Sequence, residues 1–128
     1  MSTEITAWLD EAQEKVDDAT PGPWATDLRL DGRAWVDVPG IDGRAFGLHG
    51  FPDDAAFIAD ARTRLPQAIA ALRAAMEVHG ALDAAQYVGR GKSIRRQVCT
   101  GCGTDDGNWA IWPCATVRAI AAALGVQP

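Results

Sequence analysis

Long apolar runs are missing from this chain, so no segment reads as a membrane span. The start, Met1-Ser2-Thr3-Glu4-Ile5, has neither the basic n-region nor the apolar core of a secretory signal. A reducing cytoplasm is the expected setting. Cysteine is scarce, with three residues in all, and the odd count in that setting argues against a disulfide framework. The phosphate-cradling G-x-x-x-x-G-K-[ST], the dinucleotide fingerprint and H-E-x-x-H are all absent, which removes the usual nucleotide-dependent and zincin chemistries. Asp53 and Asp54 read as helix caps and not as a carboxylate dyad. No catalytic assignment follows, and the chain is expected not to be an enzyme.

Acids are absent between Asp83 and Asp105, where Arg90, Lys92, Arg95 and Arg96 fall. The opposite holds over residues 1–18, where Glu4, Asp10, Glu11, Glu14, Asp17 and Asp18 face Lys15 alone. The simplest reading of each is a solvated surface. The overall charge of −5 argues against indiscriminate nucleic-acid binding.

What is present is globular. Of 128 residues, 48% are hydrophobic and 23% charged, enough for one domain that buries roughly two-thirds of its unfolded surface. Ile5, Trp8, Leu9, Ala12 and Val16 recur at helical spacing, predicting a helix that starts with Thr3 as N-cap and stops before Pro21. Trp24–Leu30 and Arg33–Val38 flank Asp31-Gly32, a dipeptide suited to a two-residue hairpin turn, and 44–49 offers a third strand. Asp53-Asp54 opens a helix through Ala55, Phe57, Ile58 and Ala61, and a break at Leu65-Pro66 starts another with Ile69, Leu72, Ala75 and Met76 on one stripe. That second helix ends at His79-Gly80 or runs on through the alanines to Gln86. Residues 88–98 read as loop or irregular strand. A last helix, 116–124, stops at Gly125. The expected fold is α+β: an N-terminal helix, a small antiparallel β-meander, two central helices and a C-terminal zinc-knuckle lobe ending in a helix. It forms a single domain over 1–128, with a helix/meander/helix lobe over 1–80 and a zinc-binding lobe over 81–128.

The chemistry gathers in the last quarter. Cys99-Thr100-Gly101-Cys102-Gly103 is a C-x-x-C with glycines where a tight knuckle needs backbone freedom, and its amides can stabilise thiolates. Cys114 follows Pro113 at the expected start of the last helix, where the macrodipole favours a thiolate. A structural zinc site takes four ligands, so one is missing. His79, at the end of an apolar helix, is the choice, giving Cys99, Cys102, Cys114 and His79; His49, Asp105, Asp106 or water remain alternatives. Buried thiols without metal are the competing reading. Thioredoxin-like redox chemistry is disfavoured because the residues after the motif read as loop. Trp109 and Trp112 flank the site; they either cover it or join Arg90, Lys92, Arg95 and Arg96 in a contact surface.

Two stretches resemble a known group. Ala19-Thr20-Pro21-Gly22-Pro23-Trp24, followed by Asp54-Ala55-Ala56-Phe57-Ile58-Ala59, resembles the Ead-like early-region accessory proteins of lambdoid phages and small proteins of actinobacterial phages and prophages. Cys99-x-x-Cys102 with Trp112-Pro113-Cys114-Ala115-Thr116 resembles a second element of such proteins, in which a histidine ending the preceding helix precedes the cysteines, as His79 does. The resemblance implies a phage or prophage accessory product acting in the host cytoplasm, and carries no activity with it. The expected function is therefore a zinc-stabilised module binding a host or phage macromolecule, a protein in the first instance. The alternatives are nucleic-acid binding through the basic 88–98 segment beside the knuckle, and a zinc hydrolase with water in place of His79.

Overall fold

The structure, a computed structural model, describes residues 4–40, 46–48, 52–103 and 109–128, with 46–48 described as backbone. Among these residues the fold is α+β, with three helices and two antiparallel three-stranded sheets. The elements are α1 (Glu4–Asp18), β1 (Ala25–Leu28), β2 (Ala34–Asp37), β3 (Phe46–Leu48), α2 (Pro52–Val78), β4 (Ala81–Gly89), β5 (Lys92–Gly103), β6 (Trp109–Ile111) and α3 (Ala115–Leu124). The chain forms two compact units, one of Glu11–Ala70 and one of Met1–Asp10 with Ala71–Pro128, so the unit boundaries fall inside α1 and α2. The expected N-cap, Thr3, lies outside the described residues.

The 11–70 unit is built on apolar burial. β2 alternates as a half-buried strand should, and Ala34, Val36 and Val38 pack with Ala55 and Ala59 of α2, with Trp24 and Ile58 at the margin. β1 and β2 pair from Ala25↔Asp37 to Leu28↔Ala34, and β3 pairs with β2 on the other side. The β1–β2 connection is longer than the two-residue turn expected at Asp31-Gly32. Arg29 N–H donates to Arg33 O (2.8 Å) and Gly32 N–H to Arg29 O (3.0 Å), closing a three-residue loop in which Gly32 has φ 80°. Asp31 Oδ1 accepts from Arg33 N–H (3.1 Å), a side-chain brace that favours this loop.

The Pro-Gly-Pro segment does structural work here. Arg62 of α2 donates from Nε to Thr20 O (3.0 Å) and from Nη2 to Val16 O (3.3 Å). A guanidinium thus caps the C-terminal end of α1, where carbonyls lack intrahelical partners and the dipole favours a cation. Trp24 Nε1 also donates to Thr20 O (3.2 Å), and a Cβ on Gly22 would lie 3.1 Å from Arg62 Cγ. The Gly22–Pro23 peptide is cis. The sequence stretch that carries the phage resemblance is, in this unit, the cap of a helix.

Two expectations for the middle of the chain are corrected. The central helices are one: α2 runs 27 residues with Pro66 inside it. An internal proline removes one hydrogen bond and costs about 3 kcal/mol or more, yet Ala55, Ala59 and Ile69 are buried on both sides of it. Continuous burial along one face holds the helix through the proline. Phe57, read in one run with Ala55, Ile58 and Ala61, is 75% exposed; the buried positions before Pro66 are the alanines Ala55 and Ala59, which pack against β2.

The second unit is seeded by Ile5, Leu9, Val98, Val117 and Ala121, all buried, together with Cys99 and Cys114. Asp10 accepts from Arg73 Nη2 (2.8 Å), and Glu4 accepts from Gln127 N–H (2.7 Å). Gly125, at φ 70°, ends α3 as its sequence suggests. Helix α2 ends before His79-Gly80, the first of the two ends expected, so only the run on to Gln86 is overturned; residues 88–98, read as loop or irregular strand, are strand around a tight turn. β4 and β5 form a long hairpin, paired from Ala81↔Cys99 to Gly89↔Lys92 with a register shift at Tyr87/Gly89. Gly89, Arg90 and Gly91 make its turn at φ 97°, 52° and 71°, and the Gly91 N–H donates to Tyr87 Oη (3.2 Å).

Candidate metal centre

Four side chains converge from three different local structures. His79 follows the last turn of α2, its N–H still bonded to Ala75 O (3.0 Å). Cys99 and Cys102 stand on β5, and Cys114 is the N-cap of α3. The position of His79 is stitched to the knuckle by hydrogen bonds on both of its flanks. Gly80 N–H donates to Thr100 Oγ1 (3.0 Å), Thr100 N–H donates to Gly80 O (2.9 Å), and Thr100 Oγ1 donates to Val78 O (3.1 Å). A glycine is required next to this seam: a Cβ on Gly101 would lie 2.5 Å from Val78 O. The middle residues of C-x-x-C therefore hold the histidine and the two cysteines in one frame.

The ligand atoms of His79, Cys99, Cys102 and Cys114 all lie within 4.8 Å of one another. His79 Nδ1 is 3.4 Å from Cys99 Sγ, 3.5 Å from Cys102 Sγ and 3.6 Å from Cys114 Sγ. A single ring N–H would serve one sulfur, whereas three near-equal separations fit a common centre. Tetrahedral zinc, with Zn–S of about 2.3 Å and Zn–N of about 2.0–2.1 Å, sets N and S about 3.6 Å apart. The group is suited to hold a metal ion such as zinc. Cys99 and Cys114 are buried, Cys102 and His79 half-buried, and none of the cysteines is in a disulfide.

Crowding of three thiols separates their proton affinities. Burial, then the neighbouring Cys99 and Cys114, pushes the Cys102 thiol up to about 11. Burial also acts upward on Cys114, but the N–H of Val117, the other two thiols and the N–H of Thr116 outweigh it and hold Cys114 below the ordinary thiol value. These helix-start amides act without a formal side-chain cap. Metal would replace the protons that three adjacent sulfurs otherwise need.

Of the alternative fourth ligands, His49, Asp105 and Asp106 lie outside the described residues. Trp109 is half-buried with its ring over Gly103, where a Cβ would meet it at 2.7 Å. Trp112 is also half-buried; its N–H donates to Gln97 O (3.0 Å), and its peptide bond to Pro113 is cis. The cations do not join the ligand cluster. Arg90, Lys92 and Arg95 are exposed along the hairpin and Arg96 is half-buried, with Arg95 3.7 Å from Asp83. Sequence reasoning overlooked Val78, Gly80 and Thr100, whose only signal was that they adjoin the ligands. No helix among the described residues is long and apolar enough to cross a membrane. No family model, curated protein or solved structure matches the chain.

Proposed function

We propose that the chain is a zinc-stabilised binding module whose β4–β5 hairpin is an arm for a macromolecular partner. The observation that carries this is the placement of His79 Nδ1 at 3.4–3.6 Å from all three cysteine sulfurs. Four protein ligands close a tetrahedral site, which suits a structural ion and leaves no position for a reacting water. His79 precedes β4 and Cys99 stands opposite Ala81, so the ion would clamp the base of the arm. The phage resemblance supports a partner in a host cytoplasm. Net charge alone favours a protein partner; the placement of charge on the arm is the finer criterion.

Metal content by native mass spectrometry on untagged protein, with thiol titration before and after chelation, tests the site. About one zinc per chain with three thiols masked until chelation is expected. Metal-free protein with three freely titrating thiols would remove the proposal's foundation.

A further inference from the structure

Beyond the metal centre the β4–β5 hairpin is a two-stranded ribbon. Among the described residues β6 pairs with β5 at Val98 and Gly103 and the Trp112 N–H reaches Gln97 O, so the ladder from Ala84↔Arg96 to Gly89↔Lys92 has no third strand there. Five paired positions from Asp83 to Tyr87, four steps of about 3.4 Å each, give an arm of about 14 Å before the turn. Much of it is open to solvent: Tyr87 is 69% exposed, Val88 50% and Ile94 43%, and residues 92–95 are all exposed, while Ala84, Gln86 and Arg96 are half-buried.

The arm carries Arg90, Lys92, Arg95 and Arg96 and one acid, Asp83, which lies 3.7 Å from Arg95 on exposed side chains. Such a pair is worth little in water and yields readily to a stronger anion. Arg90, Lys92 and Arg96 form no ion pair among the described residues. Successive strand residues point to opposite faces, so Arg95 and Arg96 project from the two sides of the ribbon, while Arg90 and Lys92 mark its tip. Arg90 is the one described non-glycine residue with positive φ, held between Gly89 and Gly91 so that an arginine occupies the apex.

A flat acidic surface would call for cations on one face. Cations on both faces and at the tip instead match a cleft with anionic walls on either side. The major groove of B-form DNA is such a cleft, about 12 Å wide, and admits a two-stranded ribbon. Tyr87, Val88 and Ile94 supply apolar contact between the cations. The overall charge of −5 does not oppose this locally. That figure is a sum over the whole chain, whereas the arm itself holds four cations against Asp83 alone.

We infer that the β4–β5 arm binds double-stranded DNA by insertion into a groove, with Arg90, Lys92, Arg95 and Arg96 contacting phosphates on both walls. The inference rests on the arm proposed above as the recognition element, and names its partner class.

The test is fluorescence anisotropy of the full chain with a labelled 20-base-pair duplex of mixed sequence, from about 50 to 200 mM salt. A slope of log K against log salt near −3.6 is expected for four phosphate contacts, falling to about −1.8 in the Arg90→Ala/Lys92→Ala variant. Circular dichroism and metal content of that variant should match the parent, since both side chains stand at the tip. Absence of duplex binding at 50 mM salt would overturn the inference. Equal affinity for a single strand of the same length would overturn it too, and displacement by polyglutamate of matched charge would point to an acidic protein instead. Metal content measured on the same sample separates the two claims. One zinc per chain without DNA binding defeats the inference alone, while DNA binding by metal-free protein defeats only the zinc reading.

Discussion

The two units of this chain solve the problem of small size differently. Residues 11–70 bury Val16, Ala34, Val36, Val38, Ala55, Ala59 and Ile69, and close the end of α1 with a guanidinium. The other unit buries Ile5, Leu9, Val98, Val117 and Ala121, and its remaining buried apolar side chains are Cys99 and Cys114. One core is apolar packing plus a cap; the other is half a core with a His/Cys3 group suited to a metal ion in the gap. Structural zinc contributes about 10–16 kcal/mol in small domains, more than the packing of five side chains at about 1.5–3 kcal/mol each leaves after ordering costs. Difference in metal dependence is the property that should divide the units.

The largest expected effect is therefore chelation. Hydrogen exchange after zinc removal should rise across β4, β5, β6 and α3, while β1 and β2 keep their protection. Uniform loss across both units would erase the contrast. Acid should act on the same side of it. Cys102, pushed up to about 11, holds its proton at neutral pH in the metal-free chain, so loading must release that proton. Zinc affinity should accordingly rise about tenfold per pH unit for each proton released, and competition with a chromophoric chelator at pH 6, 7 and 8 measures it.

Next in size is Gly101→Ala. Its Cβ would sit 2.5 Å from Val78 O and 2.9 Å from Val78 Cγ1, so the seam beside His79 must open. A loss of about 1–3 kcal/mol is expected, appearing as weaker zinc binding in the same competition assay; unchanged zinc affinity would show that the seam does not position His79. Smallest is Arg62→Ala in the other unit. It removes two charged hydrogen bonds to carbonyls, about 1–3 kcal/mol, and should lower the denaturation midpoint with zinc affinity unchanged. Arg62→Lys should recover only part of it, because one ammonium cannot copy the fork.

The clustering of the four candidate ligands was readable because their chemistry is compositional: three cysteines and two histidines are few enough to sort on paper. The helices α1 and α3 were readable from the period of Ile5, Leu9 and Val16 and from the glycine after Leu124. Other parts were hidden for separate reasons. Ala81–Gln86 is rich in a strong helix former, and only pairing with β5 makes it a strand. Pro66 looks like a boundary, and only burial on both sides of it says otherwise. The three-residue loop at Leu30-Asp31-Gly32 depends on a hydrogen bond between Arg29 and Arg33, two residues with no turn preference of their own. In each case a contact distant in sequence, or a backbone bond, overrode a correct local preference.

The ladder begins at Ala81↔Cys99, with Cys99 itself in the candidate centre and His79 two residues before Ala81, and ends at a glycine-flanked turn. Everything between those limits is a closed loop of chain that starts and ends at the candidate metal centre. A strand pair keeps its facing pattern when both members change by an even number of residues, and lengthening a closed loop adds little to its entropy. The arm is thus a replaceable cassette. Its reach and its side chains can be changed without altering His79, Cys99, Cys102 or Cys114.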